Sequence, residues 1–320
     1  MVKFIPVRYQ SFNYPEDSKP QPKIQEVTCN LGTDNLERTT CLDFLSLHTD
    51  PSIVWDKWPR KKEKIRNSVI LSDFHNIFDN FKKVIDSKKD CVSILWLNEQ
   101  WSKEFAGFLV KLTEGKGIKH NRIKIIEIHS PFDTCCKDLK TFLERYLVFE
   151  KEILKSFPSA DIVIENQYTH KGKQRFGNFL LSDKDDIIEL SKLISGHVSK
   201  PRLRIVLDIP QLFSTYYGNR LLLKSEIEKF LTPLKEYRHL IRSTHVWGYD
   251  LNKERGAHGA DFKTWFNNDE DLKKCFLEEI RNLFDDGKKR YFVPEVSGTA
   301  NVKSIVNDLI GAGFEFVDPE

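Results

Sequence analysis

The sequence predicts an α/β chain folded as a (β/α)₈ barrel. Eight short apolar runs recur along its length, beginning at residues 4, 42, 92, 123, 162, 203, 243 and 291. Longer segments with helical spacing lie between them. The runs are continuous rather than alternating, which is the pattern of parallel strands buried on both faces.

The first run is FIPVRY, and it is followed by a polar, Pro-rich connection from Asn13 to Thr40. That connection reads as irregular, with a candidate short extra strand at KIQEVTC. LDFLSLH, VSILWLN and IKIIEIH supply the second, third and fourth strands. DLKTFLERYLVFEKEILKSF (138 to 157) has apolar positions three and four apart and reads as a helix. IVIEN and LRIVLDI are the fifth and sixth strands, LLKSEIEKFLTPLKEYRHLI (222 to 241) is a second clear helix, and STHVWGY and YFVPEVS close the set. Successive runs start 31 to 50 residues apart, a spacing that suits βα units, and eight such units make a barrel. An open doubly wound sheet would be expected to carry a phosphate loop. The sequence holds no GxGxxG after a strand and no GxxxxGK[ST], so no nucleotide cofactor is expected.

The 320 residues suit one barrel domain spanning 1–320, with the irregular connection at 13–40 as its main departure. Lys and Arg number 50 against 47 Asp and Glu, too even a balance for a general nucleic-acid binder. One local exception is WDKWPRKKEKIR (55 to 66), with six basic residues and two Trp in twelve. It reads as a solvated helix start after Pro59, with a phosphate or nucleic-acid contact as the alternative. No cleavable apolar leader and no run of about 18 apolar residues is present, so a cytoplasmic protein without membrane contact is expected. Six cysteines without a CxxC pair read as reduced packing thiols.

In such a barrel the reactive groups sit at the C-terminal ends of strands, where the βα loops form the open face. Five consecutive strands end on a carboxylate or an imidazole: His129 in IEIHSPF, Glu165 in IVIENQ, Asp208 in IVLDIPQ, His245 in STHVWG and Glu295 in FVPEVSG. Converging carboxylates raise one another's pKa unless a cation neutralises them. A mixed Glu/Asp/His shell suits Mn²⁺, Mg²⁺, Co²⁺ or Zn²⁺. A divalent metal site is therefore expected on this rim. His48 and Asn98 end two earlier runs and are candidate substrate contacts there. Trp96, Trp247 and Tyr249 read as residues filling the mouth, with Trp247 a candidate stacking partner for substrate. His75 and His239 fall on helical segments and read as structural, and Lys171, Lys173 and Arg175 read as solvated charge.

The order Glu165, Asp208, His245, Glu295, with ERGAHGADF (254 to 262) after the histidine, resembles the xylose isomerase-like barrel superfamily. That superfamily includes sugar isomerases and epimerases and the endonuclease IV type of AP endonuclease. The resemblance covers roughly residues 120 to 300 and implies that these four residues bind a shared metal. In the epimerase branch the two glutamates, here Glu165 and Glu295, also serve as the acid-base pair, and Arg255 and His258 are the nearest candidates for substrate contacts. In the endonuclease branch His129 and Glu165 would bind further zinc ions. That branch also places a His where this chain has Gln211, leaving Gln211 a candidate substrate contact. Its Asp-x-His pair is not reproduced by His258-Gly259-Ala260-Asp261. The resemblance thus implies a metal-dependent isomerase or epimerase with a small sugar-like substrate, and as its alternative a phosphodiesterase or nuclease acting on DNA.

Overall fold

The computed structural model describes residues 1–9, 12–28, 42–49, 96, 98–115, 117–133, 136–169, 178–217, 220–250 and 258–319. Eight parallel strands close into a barrel: β1 (Lys3–Arg8), β2 (Ile24–Thr28), β3 (Phe44–His48), β4 (Ile123–His129), β5 (Asp161–Glu165), β6 (Arg204–Asp208), β7 (Ile241–His245) and β10 (Lys289–Val293). Closure runs from β10 back to β1, with Lys3 opposite Lys289 and Pro6 opposite Phe292. A two-stranded hairpin, β8 (Gly248–Tyr249) with β9 (His258–Ala260), stands beyond β7, and the short β11 (Glu315–Phe316) pairs with the start of β1. The described helices are α1 (Glu99–Gly115), α2 (Leu139–Ser156), α3 (Lys184–Gly196), α4 (Ile209–Tyr217), α5 (Lys224–Leu231), α6 (Phe262–Trp265), α7 (Glu270–Phe284) and α8 (Thr299–Gly311). The architecture is the (β/α)₈ barrel, with helices between the strands.

Strand β5 shows why the runs are continuous. Ile162 and Ile164 join the large core between sheet and helices, while Val163 joins a separate cluster inside the barrel. Both faces are dry, so both need apolar side chains. The inner cluster comprises Ile5, Val7, Ile24, Ile125, Val163, Val206, Tyr291 and Val293. At its N-terminal side Asp161 Oδ2 accepts hydrogen bonds from Arg242 Nε at 3.0 Å and from the Tyr291 hydroxyl at 2.8 Å. The helices follow their sequence signals. In α2, Asp138 caps the Thr141 N–H at 2.7 Å, and Leu139, Phe142, Leu143, Tyr146, Phe149 and Ile153 form the buried stripe. Asp183 and Asp186 make a reciprocal capping box at α3.

Three expectations are corrected. KIQEVTC is not an accessory strand: β2 is a full member of the barrel, paired with both β1 and β3. VSILWLN is not the third strand, because β3 pairs directly with β4 and no strand lies between them. Residues 91–95 and 97 lie outside the described residues, but Trp96 packs edge-on against Phe105, Phe142 and Phe149 of α1 and α2. The predicted helix at 222 to 241 is also divided. Pro233 lacks the N–H that an α-helix needs, and α5 gives way to a 3₁₀ segment over Thr232–Leu240. The connection 13–40 is described only as far as Thr28, and the basic segment 55–66 lies outside the described residues.

Candidate metal centre

The C-terminal ends of the barrel strands deliver eight ionisable side chains to one region, because inward-facing positions recur with period two along each strand. Glu26 comes from β2, His48 from β3, Glu127 and His129 from β4, Glu165 from β5, Asp208 from β6 and His245 from β7. Glu295 lies two residues beyond β10. All are buried except His48, which is nearly so. One donor atom from each of Glu165, Asp208, His245 and Glu295 lies within 4.8 Å of the others, and the same holds for His48, Glu127, His129 and Glu165, and for Glu26, His48 and Glu295.

His245 is at the centre of the first group. Its Nδ1 stands 3.3 Å from Glu165 Oε1 and 3.2 Å from Glu295 Oε1, and its Nε2 stands 3.3 Å from Glu127 Oε2. His129 Nε2 contacts Glu165 Oε2 directly and lies 3.1 Å from His48 Nε2. His48 Nδ1 faces Glu127 Oε1 at 3.2 Å and Glu26 Oε1 at 3.6 Å. The supporting residues begin where the strands end. Asn166 ties β5 to β6 by donating to the Asp208 carbonyl at 3.0 Å and accepting from the Asp208 N–H at 2.9 Å. Gln167 donates to Glu165 Oε2 at 2.7 Å.

Gln211, in the first turns of α4, is oriented by the Tyr168 N–H, which donates to its Oε1 at 2.7 Å. Its amide nitrogen is thereby turned to both carboxylates, 3.1 Å from Glu165 Oε1 and 3.0 Å from Asp208 Oδ2. Trp247 lies behind Asp208 and donates its indole N–H to Oδ2 at 3.1 Å, with only 2% of its surface exposed. Asn98 is exposed and precedes α1 rather than ending a strand, and its carbonyl accepts from the Ser102 N–H and hydroxyl. His258 opens β9 opposite Tyr249. Arg255 lies outside the described residues, as do Lys171, Lys173 and Arg175.

Glu26 and Glu127 belong to the cluster and escaped the sequence reading, which looked only at the last residue of each apolar run. The signal was period-two spacing: Glu127 stands two before His129 in IEIH, and Glu26 two after Ile24.

The electrostatics reflect five carboxylates and three imidazoles in a dry mouth. Burial raises the Asp208 carboxyl well above its usual range, and the charges of Glu165 and Glu295 push it further. Burial also raises Glu26, against the opposing pull of His48. Glu165 goes the other way: burial is outweighed by His129 and His245, which hold its carboxyl well below the usual range. For His48 and His245, burial disfavours the imidazolium but the surrounding glutamates, Glu127 foremost, raise both well above the ordinary histidine value.

The donor set fits a divalent cation. Buried polar atoms are normally hydrogen-bonded, yet both ring nitrogens of His245, Nδ1 of His48 and of His129, Glu26 Oε2 and Glu127 Oε1 are buried without such a partner. A tetrahedral cation holding nitrogen and oxygen at about 2.0–2.2 Å places its ligands about 3.3–3.6 Å from one another. The separations around His245 Nδ1, 3.2 and 3.3 Å, are close to that edge length. Oxygen and imidazole donors without thiolate suit Mn²⁺, Mg²⁺, Co²⁺ or Zn²⁺.

No family model matches the chain, and no curated protein matches it. Among solved structures it is similar to a D-tagatose 3-epimerase-like protein, at 11% identity over 97% of each chain and a TM-score of 0.48. It is also similar to a sugar phosphate isomerase/epimerase from Parabacteroides distasonis, at 10% identity over 67% of this chain and 61% of that one, TM-score 0.31. A third similarity is to a GH5 xyloglucan-specific β-1,4-glucanase from a ruminal metagenomic library, at 9% identity over 89% and 87%, TM-score 0.41. At these identities and scores the similarities assign no residue role and no activity to this chain.

Proposed function

We propose that the protein is a divalent-metal-dependent isomerase or epimerase acting on a sugar or a related keto or hydroxy compound. The observation that carries this reading is the convergence of Glu165 and Glu295, from separate strands, on His245 Nδ1 beside Asp208. Glu165, Asp208, His245 and Glu295 would hold the cation, which when bound supplies polarisation of a substrate carbonyl. Glu165, kept ionised by His129 and His245, is suited to take a proton next to that carbonyl. Glu295, from beyond the end of β10, is suited to return one. Gln211 holds the Glu165 carboxylate in place through Oε1.

Glu165→Gln and Glu295→Gln are each expected to abolish turnover while leaving the fold and its circular dichroism intact. The assay is isomerisation of a ketose panel in deuterated water, read by deuterium incorporation next to the carbonyl. Near wild-type turnover in either variant refutes the acid-base assignment. EDTA should inactivate the protein, with recovery on adding Mn²⁺, Co²⁺ or Zn²⁺.

A second reading is favoured by one specific observation. His48, Glu127 and His129 form a further donor group that shares Glu165 with the first, and a shared carboxylate is a usual link between the ions of a two-metal phosphoesterase. This reading predicts two bound cations per chain by elemental analysis and cleavage of abasic-site DNA, whereas the isomerase reading predicts one.

A further inference from the structure

Glu127 occupies a position that the one-cation isomerase reading does not use. It sits on β4 two residues before His129, with 1% of its surface exposed, and its two oxygens face two different histidines. Oε1 is 3.2 Å from His48 Nδ1 and Oε2 is 3.3 Å from His245 Nε2, ion-pair contacts that are not aligned as hydrogen bonds. The opposite nitrogen of each ring looks into the donor cluster: His48 Nε2 toward His129 at 3.1 Å, and His245 Nδ1 toward Glu165 and Glu295. The two rings lie nearly parallel, at 24° and 6.1 Å between centroids, one above each end of the same carboxylate.

We propose that Glu127 is a shared positioning carboxylate that holds His48 and His245 together by their outward nitrogens and so turns the remaining nitrogen of each into the cation site. The inference rests on the metal-dependent reading of the mouth. Its physical basis is that an imidazole can offer a lone pair at only one nitrogen while the other carries a proton, and a buried anion beside one nitrogen decides which. Carboxylates placed behind metal-binding histidines act in this way, fixing ring orientation and tautomer. Here one carboxylate serves two rings from strands β3 and β7, so all three donor groups, each of which contains one of these histidines, depend on it. Glu26, 3.6 Å from His48 Nδ1, touches only one of the rings and cannot replace the link.

The test compares wild type with Glu127→Gln and Glu127→Asp. With Co²⁺ as the probe, followed by its visible absorption, Glu127→Gln should bind about 10- to 100-fold more weakly, the usual cost of losing such a partner, and with an altered band pattern. Glu127→Asp, which keeps the charge at shorter reach, should recover part of the affinity. Unchanged affinity and spectrum in Glu127→Gln overturn the proposal. A second measurement needs no metal: in the chelator-treated protein the ¹⁵N resonances of His48 Nδ1 and His245 Nε2 should move together on substitution, while those of the remote His197 stay. Movement of one ring without the other, or of neither, also overturns it. If wild type binds no Co²⁺ but the two rings move together, the metal reading fails and the link between the rings stands. Should Glu127→Gln not fold, Glu127→Asp carries the same comparison.

Discussion

Glu165 and Asp208 end neighbouring strands and are equally buried, yet their acidities are displaced in opposite directions. Burial raises both; for Glu165 it is outweighed by His129 and His245, whereas Asp208 also feels the like charges of Glu165 and Glu295. The signs fix a pH dependence for the metal-free protein. The depressed Glu165 contributes stability above the ordinary glutamate pKa of about 4.3, lost as pH falls through its folded value. The raised Asp208 and Glu26 lose their contribution as pH climbs above about 4. The raised His48 and His245 stabilise fully below about pH 6.5 and lose that contribution as pH rises through their folded values. Urea denaturation in EDTA should therefore show lower stability at about pH 9 than at about pH 6, and added Mn²⁺ should narrow the gap; equal or greater stability at the higher pH would contradict this balance. Asn166 makes a separate case. It bonds both the N–H and the carbonyl of Asp208 in a wholly buried place. Asn166→Ala should cost about 1–3 kcal/mol in urea denaturation, because two buried hydrogen bonds that tie β5 to β6 are lost.

The elements differ in how far their sequences announced them. Strands β4, β5, β6 and β10 were legible because each carries an apolar stretch between dry surfaces, whereas β7 (Ile241–His245) starts two residues before the run STHVWGY and holds Arg242, Ser243 and Thr244. Strand β2 was legible only as an accessory, since IQEVT carries Gln25 and Glu26, both buried; Gln25 is held by the carbonyls of Arg8 and Glu26 at 3.2 and 2.9 Å. An inward carboxylate near the mouth looks like solvent exposure when only hydropathy is read. VSILWLN misled for the converse reason: a short apolar run is the same signal whether it fills a strand or packs beside helices, and Trp96 does the latter. The site followed the same logic. Glu165, Asp208, His245, Glu295 and His129 were visible as run endings, whereas Glu127, inside its run, was not. Helix signals were local, and they survived except at 222 to 241, which Pro233 divides. Asp183 bonds the N–H groups of Asp185 and Asp186 at 2.8 and 3.0 Å to open α3, so Asp183→Ala should lower stability by about 1 kcal/mol, measurable as a shift in the urea midpoint with unchanged slope.

At the scale of the molecule, a buried cation of the chain's own ties the last barrel strand to its neighbour β7. Arg290 on β10 is 1% exposed. It donates to both oxygens of Asp286 at 2.8 and 2.7 Å, to the Ile241 carbonyl at 3.0 Å and to the Arg238 carbonyl at 2.9 Å. It thus joins the last barrel strand to β7 and to the turn after α7. Arg290→Met should cost about 3–5 kcal/mol, since it strands Asp286 and the carbonyls together; a loss below 1 kcal/mol by urea denaturation would show that the sheet closes without it. No described helix is long and apolar enough to cross a membrane. The eight-residue inner cluster, with Asp161, Arg242 and Tyr291 joined beneath it, has a further effect on traffic. Among the described residues this hydrocarbon plug fills the barrel interior below the donor cluster. On the proposed metal-dependent reading, a cation held above this plug by Glu165, Asp208, His245 and Glu295 lies beneath the substrate, so bound substrate should slow its removal by a chelator.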